Sequence, residues 1–301
     1  MLMDELRFDG KAALVTGVGA SGSIGREHAI ELARRGASVV VNDVASRDGY
    51  PIAQALVDEI TAEGGTAHAY VGSVATEDGA RDAVRRTVEL LGAIDILVNN
   101  AGNVHNGVVG TMSTADFDAD VQLNLMGPFW TMSEALPQMR ARGYGRIVNT
   151  TSASGAFGSF RSPGYAAAKA GVIGLTRAVA LDNPDWDLKV NAVAPLAASP
   201  RSRDWFESLD NIDAGLLRPE LIAPPVAYLC HEQCDVNGSV LSVGAGRVAI
   251  VFTGTVPGYL NRDLTAEDIS LHLDQVLDRR DYEVPGSQLE QYPLFGIMTD
   301  R

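Results

Sequence analysis

The sequence predicts an α/β fold, in which a mainly parallel sheet of seven strands is covered by helices on both faces. Two observations predict this doubly wound arrangement. Through about residue 195, short apolar runs alternate with segments of helical periodicity. The apolar runs also lack the polar alternation of a half-exposed strand, which is typical of parallel strands buried on both faces. Because ligands of such folds bind at the carboxyl ends of the strands, we expect the functional site at that edge.

The individual elements follow in chain order. The predicted strands are short runs rich in Val, Ile, Leu and Ala, and they span residues 12–16, 38–42, 66–71, 94–99, 146–149, 188–193 and 239–243. The predicted helices repeat apolar residues every three to four positions, and they span residues 24–35, 51–63, 76–91, 115–141, 163–182 and 219–231. Residues 196–218 break the alternation, and we interpret this Ser-, Arg-, Asp- and Pro-rich segment as either a mobile substrate lid or an ordinary surface loop.

We expect two parts in the chain, a domain over residues 1–248 and a C-terminal extension over residues 249–301. The last part of the extension, residues 261–301, holds nine acidic residues and four arginines. A helix is predicted from Thr265 to Arg279, because a threonine cap followed by acidic residues favours a helix start. Two interpretations stay open: the extension packs on a neighbouring subunit, or it is solvated.

Composition excludes several functional classes. A net charge of -14 argues against binding to a nucleic-acid backbone, since such proteins carry a basic footprint. No apolar run approaches the roughly 20 residues of a membrane span, and the acidic start of the chain lacks the apolar core of a secretory signal. We therefore expect a cytoplasmic protein with a small-molecule substrate.

The two cysteines, Cys230 and Cys234, flank His231 in a Cys-His-Glu-Gln-Cys segment. A zinc site is one interpretation, but only three close candidate ligands are present and no second cluster. Reduced thiols at the end of a packed helix are the favoured interpretation, so we expect no metal.

The residues most informative about chemistry are Tyr165 and Lys169, with Ser152 upstream of both. Positions i and i+4 of a helix share a face, so the phenol and the ammonium can converge. We expect the positive charge to lower the pKa of Tyr165 from its ordinary value of about 10 and to make it a proton donor or acceptor. The pattern indicates oxidation of an alcohol or reduction of a carbonyl, although a Tyr-x3-Lys spacing alone often arises by chance.

The cofactor end of the predicted site lies between the first strand and the first helix. Glycines at 17, 19, 22 and 25 allow a tight turn and the close approach of a pyrophosphate to the helix N-terminus. Asp43 ends the second strand, where a carboxylate accepts hydrogen bonds from an adenosine ribose and repels a 2′-phosphate. We therefore predict NAD over NADP, although Arg47 lies close to Asp43 in the sequence.

Together these residues resemble the short-chain dehydrogenase/reductase family over roughly residues 8–246. The resemblance rests on the glycine-rich turn, on the segment from Asn99 to Gly102, on Asn124, and on the Ser152, Tyr165 and Lys169 set. It implies a Rossmann fold, an NAD-dependent oxidoreductase and a homodimer or homotetramer. The implied catalytic residues are Asn124, Ser152, Tyr165 and Lys169. The implied cofactor-binding residues are Gly17, Gly19, Ser23, Ile24, Gly25, Asp43, Ser73, Val74, Asn100, Ala101, Gly102, Tyr165, Lys169 and Pro195.

By this resemblance, Ser152 holds the substrate oxygen, Tyr165 moves the proton and Lys169 binds the nicotinamide ribose. Asn124 holds a helix kink and a water molecule that relays protons toward Lys169. The segments at 39–43, 191–195, 229–234 and 243–246 further resemble the (3R)-hydroxyacyl-CoA dehydrogenase group found in multifunctional enzyme type 2. A bulky 3-hydroxyacyl-CoA is therefore the first substrate hypothesis. Arg201 and Arg203 are candidates to meet its phosphates, although ordinary solvated charge is the favoured interpretation of both. A steroid or other free secondary alcohol, or an inactive NAD-binding or assembly protein, are the alternatives.

Several segments depart from the family pattern. The glycine-rich turn is about two residues longer than usual, which leaves the roles of its individual glycines open. Ser73 stands where the family has an aspartate near the adenine, and Leu196 stands where a glycine follows Pro195. We also expect the tail not to continue the sequence of the type 2 enzyme's dehydrogenase domain.

Overall fold

The structure, a computed structural model, describes residues 5–296. The chain forms two compact units, residues 1–250 and residues 251–301. Its strands are β1 (Ala12–Thr16), β2 (Ser38–Asp43), β3 (Ser46–Arg47), β4 (Tyr50–Pro51), β5 (Thr66–Val71), β6 (Ile96–Asn99), β7 (Gly145–Thr150), β8 (Leu188–Leu196), β9 (Val240–Gly244) and β10 (Arg247–Val251).

The α-helices are α1 (Ile24–Arg34), α2 (Ile52–Ala62), α3 (Glu77–Leu91), α4 (Thr114–Val121), α5 (Gly127–Arg142), α6 (Ala153–Phe157), α7 (Pro163–Leu181), α8 (Arg203–Glu207), α9 (Ala223–Cys230), α10 (Ala266–Leu271) and α11 (Leu273–Val276). A π-helical segment covers Gln122–Met126, and 3-10 turns cover Ala214–Leu216, Pro219–Ile222 and Leu289–Phe295.

The α/β prediction is confirmed, with one correction to the strand count. The main sheet has eight strands in the order β10-β9-β8-β7-β6-β1-β2-β5, and the registers from β5 to β9 are parallel. Seven of these strands match the predicted ones. The eighth, β10, lies at the sheet edge with half-buried or exposed side chains. The apolar run at residues 248–251 could have predicted it and was missed.

The core occupies both faces of this sheet. Val39 and Val41 of β2 belong to one apolar cluster with α1, α2 and α9, whereas Val40 belongs to the other cluster with α3 and α5. Successive side chains of a strand point to opposite faces, so a strand that is apolar at every position fills both clusters. The order of the strands reverses between β1 and β6, which opens a crevice beyond their carboxyl ends.

The long helix predicted over residues 115–141 is interrupted in its middle, where the resemblance implies a helix kink at Asn124. Helices α4 and α5 are joined by the π-helical segment Gln122–Met126, which contains Asn124. A π turn adds one residue to a turn without ending the helical path, and such insertions are common at functional sites. Sequence periodicity follows the whole path but does not reveal the wider turn.

Residues 196–218 fold as part of the first unit. They contain α8 and a 3-10 turn, and the backbone of Ala198 donates a hydrogen bond to the carbonyl of Leu217 (2.7 Å). Ala198, Phe206 and Leu217 are buried against one another, so this segment has a small apolar cluster of its own. Among the described residues, no helix is long and apolar enough to cross a membrane.

The second unit, taken by itself, has short elements and no buried residue between 252 and 296. Thr265 caps α10 through a reciprocal pair of hydrogen bonds with Asp268, as the sequence predicts. The predicted helix from 265 to 279 is interrupted at His272, where α10 ends and α11 begins. The ring of His272 stacks on Tyr259 with centroids 4.0 Å apart.

Candidate active site

A cavity of about 600 Å³ lies beyond the carboxyl ends of β1, β2 and β6 to β8. It is lined by every residue of the predicted site except Asn124: Gly17, Gly19, Ser23, Ile24, Gly25, Asp43, Ser73, Val74, Asn100, Ala101, Gly102, Ser152, Tyr165, Lys169 and Pro195. Residues separated by up to 178 positions in the sequence thus share one concave surface.

The glycine-rich turn is built for close packing of backbone against backbone. Gly17 and Gly19 have φ of +65°, a conformation that residues with a Cβ rarely adopt. A Cβ on Gly25 would collide with the side-chain amide of Asn100 and with the carbonyl of Gly17. Asn100 in turn donates from Nδ2 to that carbonyl (2.7 Å), so β6 holds the turn in place. The turn and the start of α1 both line the cavity, and a glycine-rich turn at a helix N-terminus fits a pyrophosphate.

Asp43 lies at the end of β2, beside the same turn. Its carboxylate accepts hydrogen bonds from the backbone N–H of Gly19 and of Ala45, both at 2.8 Å. The carboxylate is therefore fixed at the cavity wall. The side chain of Arg47 lies in the hairpin β3–β4, is largely exposed and does not line the cavity.

Ser152 and Tyr165 come from two helices that pack together. Ser152 is the N-cap of α6 and accepts a hydrogen bond from the backbone of Ser154 (3.1 Å). A Cβ on Gly155 would overlap the backbone of Lys169, so the glycine lets α6 approach α7 closely. Tyr165 lies in the first turn of α7, and its side chain is hydrogen-bonded to Ser152.

The pKa of Tyr165 differs from the expectation. Burial raises it above its ordinary value, the hydrogen bond with Ser152 lowers it, the charge of Asp120 raises it and that of Arg201 lowers it. Lys169, whose Nζ is 5.6 Å from the centre of the ring, is not among the causes of this shift, so the expected lowering is not found. Burial of a phenol penalises its charged form, and here this penalty wins.

Lys169 is buried within α7 and donates from Nζ to the carbonyl of Thr150 (2.7 Å). Burial lowers its pKa to about 7, since an ammonium loses its hydration in the interior. Its backbone carbonyl accepts a hydrogen bond from the Oγ1 of Thr151 (2.7 Å). Residues at the end of β7 thus bind both the ammonium group and the backbone carbonyl of Lys169.

Asn124 lies one step behind the cavity wall, in the π-helical segment. Its Nδ2 donates to the carbonyls of Asn103 and Asp120, both at 2.9 Å. Its Oδ1 is buried without a hydrogen-bond partner, and a Cβ on Gly102 would lie 2.7 Å from it and 3.5 Å from the Nζ of Lys169. The amide oxygen therefore faces the lysine across Gly102 and has a free acceptor site there.

Sequence reasoning missed several cavity residues. Val44 and Ile52 line the cavity near Asp43, and Thr150 and Thr151 line it beside Lys169. Ser202 and Phe206 of the 196–218 segment line it from the other side. Arg201, which the sequence does single out, lines the same side, and its guanidinium donates to the carbonyl of Gly102. The residue types of these positions carry no motif, so only the fold reveals them.

The cysteine segment lies away from this cavity. Cys230 and Cys234 are buried free thiols, and burial raises the pKa of both. The ring of His231 is hydrogen-bonded to the carbonyl of Arg7 and the backbone N–H of Gln233. Within residues 5–296, no three His, Cys, Asp or Glu side chains are grouped as a metal site requires.

The known proteins that this chain resembles include dehydrogenases and reductases. Residues 11–204 match the short chain dehydrogenase family. The chain is 38% identical to a putative short-chain type dehydrogenase/reductase of Mycobacterium tuberculosis, over 90% of this chain and 96% of that protein. It is 35% identical to peroxisomal multifunctional enzyme type 2 of Mus musculus, over 91% of this chain and 37% of that protein.

Among solved structures, full-length peroxisomal multifunctional enzyme type 2 of Drosophila melanogaster matches with a TM-score of 0.79 and 34% identity, over 96% of this chain and 49% of that one. The chain thus spans less than half of either type 2 enzyme. Because the mouse alignment covers more of this chain than residues 1–250, it extends into the tail. The expectation that the tail departs from the type 2 enzymes is therefore wrong for the part of the tail that this alignment reaches. By its matching segment, its relatives and its fold, the chain belongs to the short-chain dehydrogenase/reductase family.

Proposed function

We propose that this oxidoreductase is an NAD-dependent dehydrogenase that interconverts a secondary alcohol and its ketone, with a 3-hydroxyacyl-CoA as the substrate class. One observation carries the proposal: Ser152, Tyr165 and Lys169 line the same cavity as the glycine-rich turn and Asp43. A proton-transfer group and a dinucleotide-binding surface that share one cavity suit hydride chemistry.

Each side chain has a defined part in this proposal. The hydroxyl of Ser152 holds the substrate oxygen, and the phenol of Tyr165 gives a proton to it or takes one from it. Lys169 holds the nicotinamide ribose. The free acceptor site on Oδ1 of Asn124, which faces Lys169, suits a relay that returns protons to this lysine. The nicotinamide, when bound, supplies or accepts the hydride, and the protein supplies orientation and electrostatics.

The choice of NAD over NADP rests on Asp43. Members of this family bind NAD(P) in a Rossmann fold. The carboxylate of Asp43 is fixed at the wall by two backbone hydrogen bonds, so it cannot swing away from a 2′-phosphate without losing them. Arg47, the one basic residue near it in sequence, does not line the cavity. The cost of placing a phosphate against a carboxylate therefore favours NAD.

The substrate class rests on the resemblance to the type 2 enzymes and on the 196–218 segment. Arg201 lines the cavity and brings a positive charge to its substrate side, whereas Arg203 is turned to the carbonyl of Ala198 (3.2 Å). Of the two arginines, Arg201 is thus the one placed to meet an anionic group. A steroid or other free secondary alcohol is the second candidate. The cytoplasmic location and the homodimer or homotetramer stay predictions.

The decisive variant for the reaction class is Tyr165→Phe. We expect its turnover to fall by at least about 10²-fold, the usual contribution of a positioned proton donor, while NAD binding measured by fluorescence titration is retained. Tyr228→Phe, an exposed tyrosine on α9, is the matched control and keeps full activity. Undiminished turnover in Tyr165→Phe would refute the assigned role. Tight NAD binding with no turnover of any substrate by the parent protein would favour the inactive NAD-binding protein.

The substrate class is tested by comparing 3-hydroxyacyl-CoA thioesters with the matching free hydroxy acids and with steroid alcohols. We expect kcat/KM to be highest for the thioesters and to rise with the bulk of the acyl group. Equal values for thioester and free alcohol would exclude the CoA hypothesis and leave the reaction class intact.

A further inference from the structure

The most unusual polar group near the candidate site is the carboxylate of Asp120, at the end of α4. Its side chain is completely buried, with 0% exposure. A buried carboxylate is costly unless it is paired or hydrogen-bonded. Among the described residues, the side chain that compensates it is His105, whose Nδ1 lies 2.8 Å from Oδ1 and whose backbone N–H donates to the same oxygen (3.1 Å).

Asp120 also touches the helix that carries the tyrosine. A Cβ on Gly164 would lie 3.0 Å from the Oδ2 of Asp120. Gly164 is the second residue of α7 and directly precedes Tyr165, so no side chain separates the carboxylate from the first turn of this helix. The N-terminal turn of a helix carries a partial positive charge, which favours a carboxylate at this place.

The same residues bind three pieces of the site together. The Nδ2 of Asn124 holds the carbonyl of Asp120 and that of Asn103, and the carboxylate of Asp120 holds His105 two residues further along. The segment 103–105, the π-helical turn and the start of α7 are therefore joined through Asp120. A group that merely filled space would not need to be charged.

We infer that Asp120, held by His105, is a positioning residue of the active site, whose carboxylate lies against the first turn of α7 and places a negative charge beside the helix that carries Tyr165. The inference rests on the proposed function, in which this phenol moves the proton. It deepens that function by naming the charge that adds to the effect of burial and favours the neutral phenol, the form that donates a proton during carbonyl reduction. Alcohol oxidation needs the phenolate, so its rate reaches a plateau only at higher pH.

Charged, titratable and polar groups surround Tyr165 on each element packed against it. Lys169 lies on its own helix, Asp120 and His105 lie on the α4 side, and Arg201 lies on the 196–218 segment, with the neutral hydroxyl of Ser152 on α6. Asp120 raises the pKa of Tyr165 and Arg201 lowers it, in addition to the effect of burial. Removing the charge of Asp120 should thus lower the pKa of Tyr165, and removing that of Arg201 should raise it.

The test is a pH titration of Tyr165 in the protein without substrate. The protein is labelled with ¹³C at Cζ of its eight tyrosines, and the signal of Tyr165 is assigned by its loss in Tyr165→Phe. We expect Asp120→Asn, which keeps the size and the hydrogen-bond acceptor, to shift the midpoint to lower pH. The shift should raise the ionised fraction by at least about two-fold at a fixed pH on the titration curve. Arg201→Gln should shift the midpoint to higher pH.

The matched control is Asp118→Asn, which removes the same charge from an exposed position of the same helix. It should leave the midpoint of Tyr165 unchanged. If Asp120→Asn does not fold, as judged by circular dichroism, Asp120→Ser removes the charge with a smaller polar side chain. An unmoved midpoint in a folded Asp120 variant, or an equal shift in Asp118→Asn, would overturn the inference.

A kinetic measurement separates this inference from the proposed function. With an alcohol that the parent oxidises, the acidic limb of kcat/KM should move to lower pH in Asp120→Asn. If Tyr165→Phe retains activity, the proposed function fails, whatever Asp120 does. If Tyr165→Phe is inactive and the limb and the NMR midpoint both stay in place in Asp120→Asn, only the role of Asp120 fails.

Discussion

The burial of His28 predicts that the stability of the protein depends on pH. His28 lies in α1, on the face packed into the core, and is 1% exposed. Both of its ring nitrogens are buried without a hydrogen-bond partner. Burial therefore lowers the pKa of His28 from 6.5 to about 3, since the interior offers nothing that stabilises an imidazolium.

The sign and size of the pH effect follow from this difference. Between pH 3 and 6.5 the unfolded chain binds a proton at His28 and the folded chain does not, so stability falls as pH falls through this window. The slope is about 1.4 kcal/mol per pH unit well inside the window. Between pH 7 and pH 5, the free energy of unfolding should lose about 2 kcal/mol through this one residue.

The perturbation is His28→Leu, which keeps an apolar side chain of similar size and removes the titration. Urea unfolding of the parent and the variant at pH 7, 6 and 5, followed by circular dichroism and fluorescence at one protein concentration, gives the two free energies. As the pH falls from 7 to 5, the difference between the free energies of unfolding of the variant and the parent should change by about 2 kcal/mol in favour of the variant. Any effect of the substitution that does not depend on pH adds equally at each pH. Coincident transitions by the two probes justify a two-state treatment.

Leu32→Ala is the matched control, one turn further along the same buried face of α1. Its cavity should lower the free energy of unfolding by about 2 to 5 kcal/mol, by the same amount at each pH. If the parent and His28→Leu lost stability in parallel as the pH fell, the reasoning would be refuted. The imidazole would then be protonated in the folded protein, with a partner that compensates its charge.

Two further predictions concern the cofactor end. Asp43→Ser should raise the ratio of NADP to NAD affinity by at least about ten-fold, since the repelling carboxylate is gone. Asp48→Ser, in the exposed turn of the β3–β4 hairpin, is the control. Equal losses of affinity for both cofactors in Asp43→Ser would contradict the role of Asp43. Gly25→Ala should weaken cofactor binding and cost about 1 to 3 kcal/mol in urea unfolding, because its Cβ would overlap Asn100 and Gly17. By contrast, Gly174→Ala, which meets nothing within 4 Å in the middle of α7, should stabilise the protein by about 0.5 to 1 kcal/mol, and a neutral Gly25→Ala would show that the turn tolerates a side chain.

The sequence by itself determined the class of fold and most of its elements. The strand at 66–71 begins and ends as predicted, and α7 ends one residue before its predicted bound. These elements are legible because burial on two faces requires continuous apolar runs, and burial on one face requires helical periodicity. The glycines, Asp43 and the Tyr165 and Lys169 spacing were equally legible, because their chemistry fixes the residue type at each position.

The tertiary structure alone decided which distant residues share the site and what their environment does to them. The π-helical turn at Asn124, the lining by Arg201 and the contact of His105 with Asp120 depend on packing between elements far apart in sequence. The pKa of Tyr165 shows this most clearly. The spacing to Lys169 predicts a lowered pKa, whereas in the structure burial of the phenol and the charge of Asp120 raise it. The spacing in the sequence reveals neither of these causes.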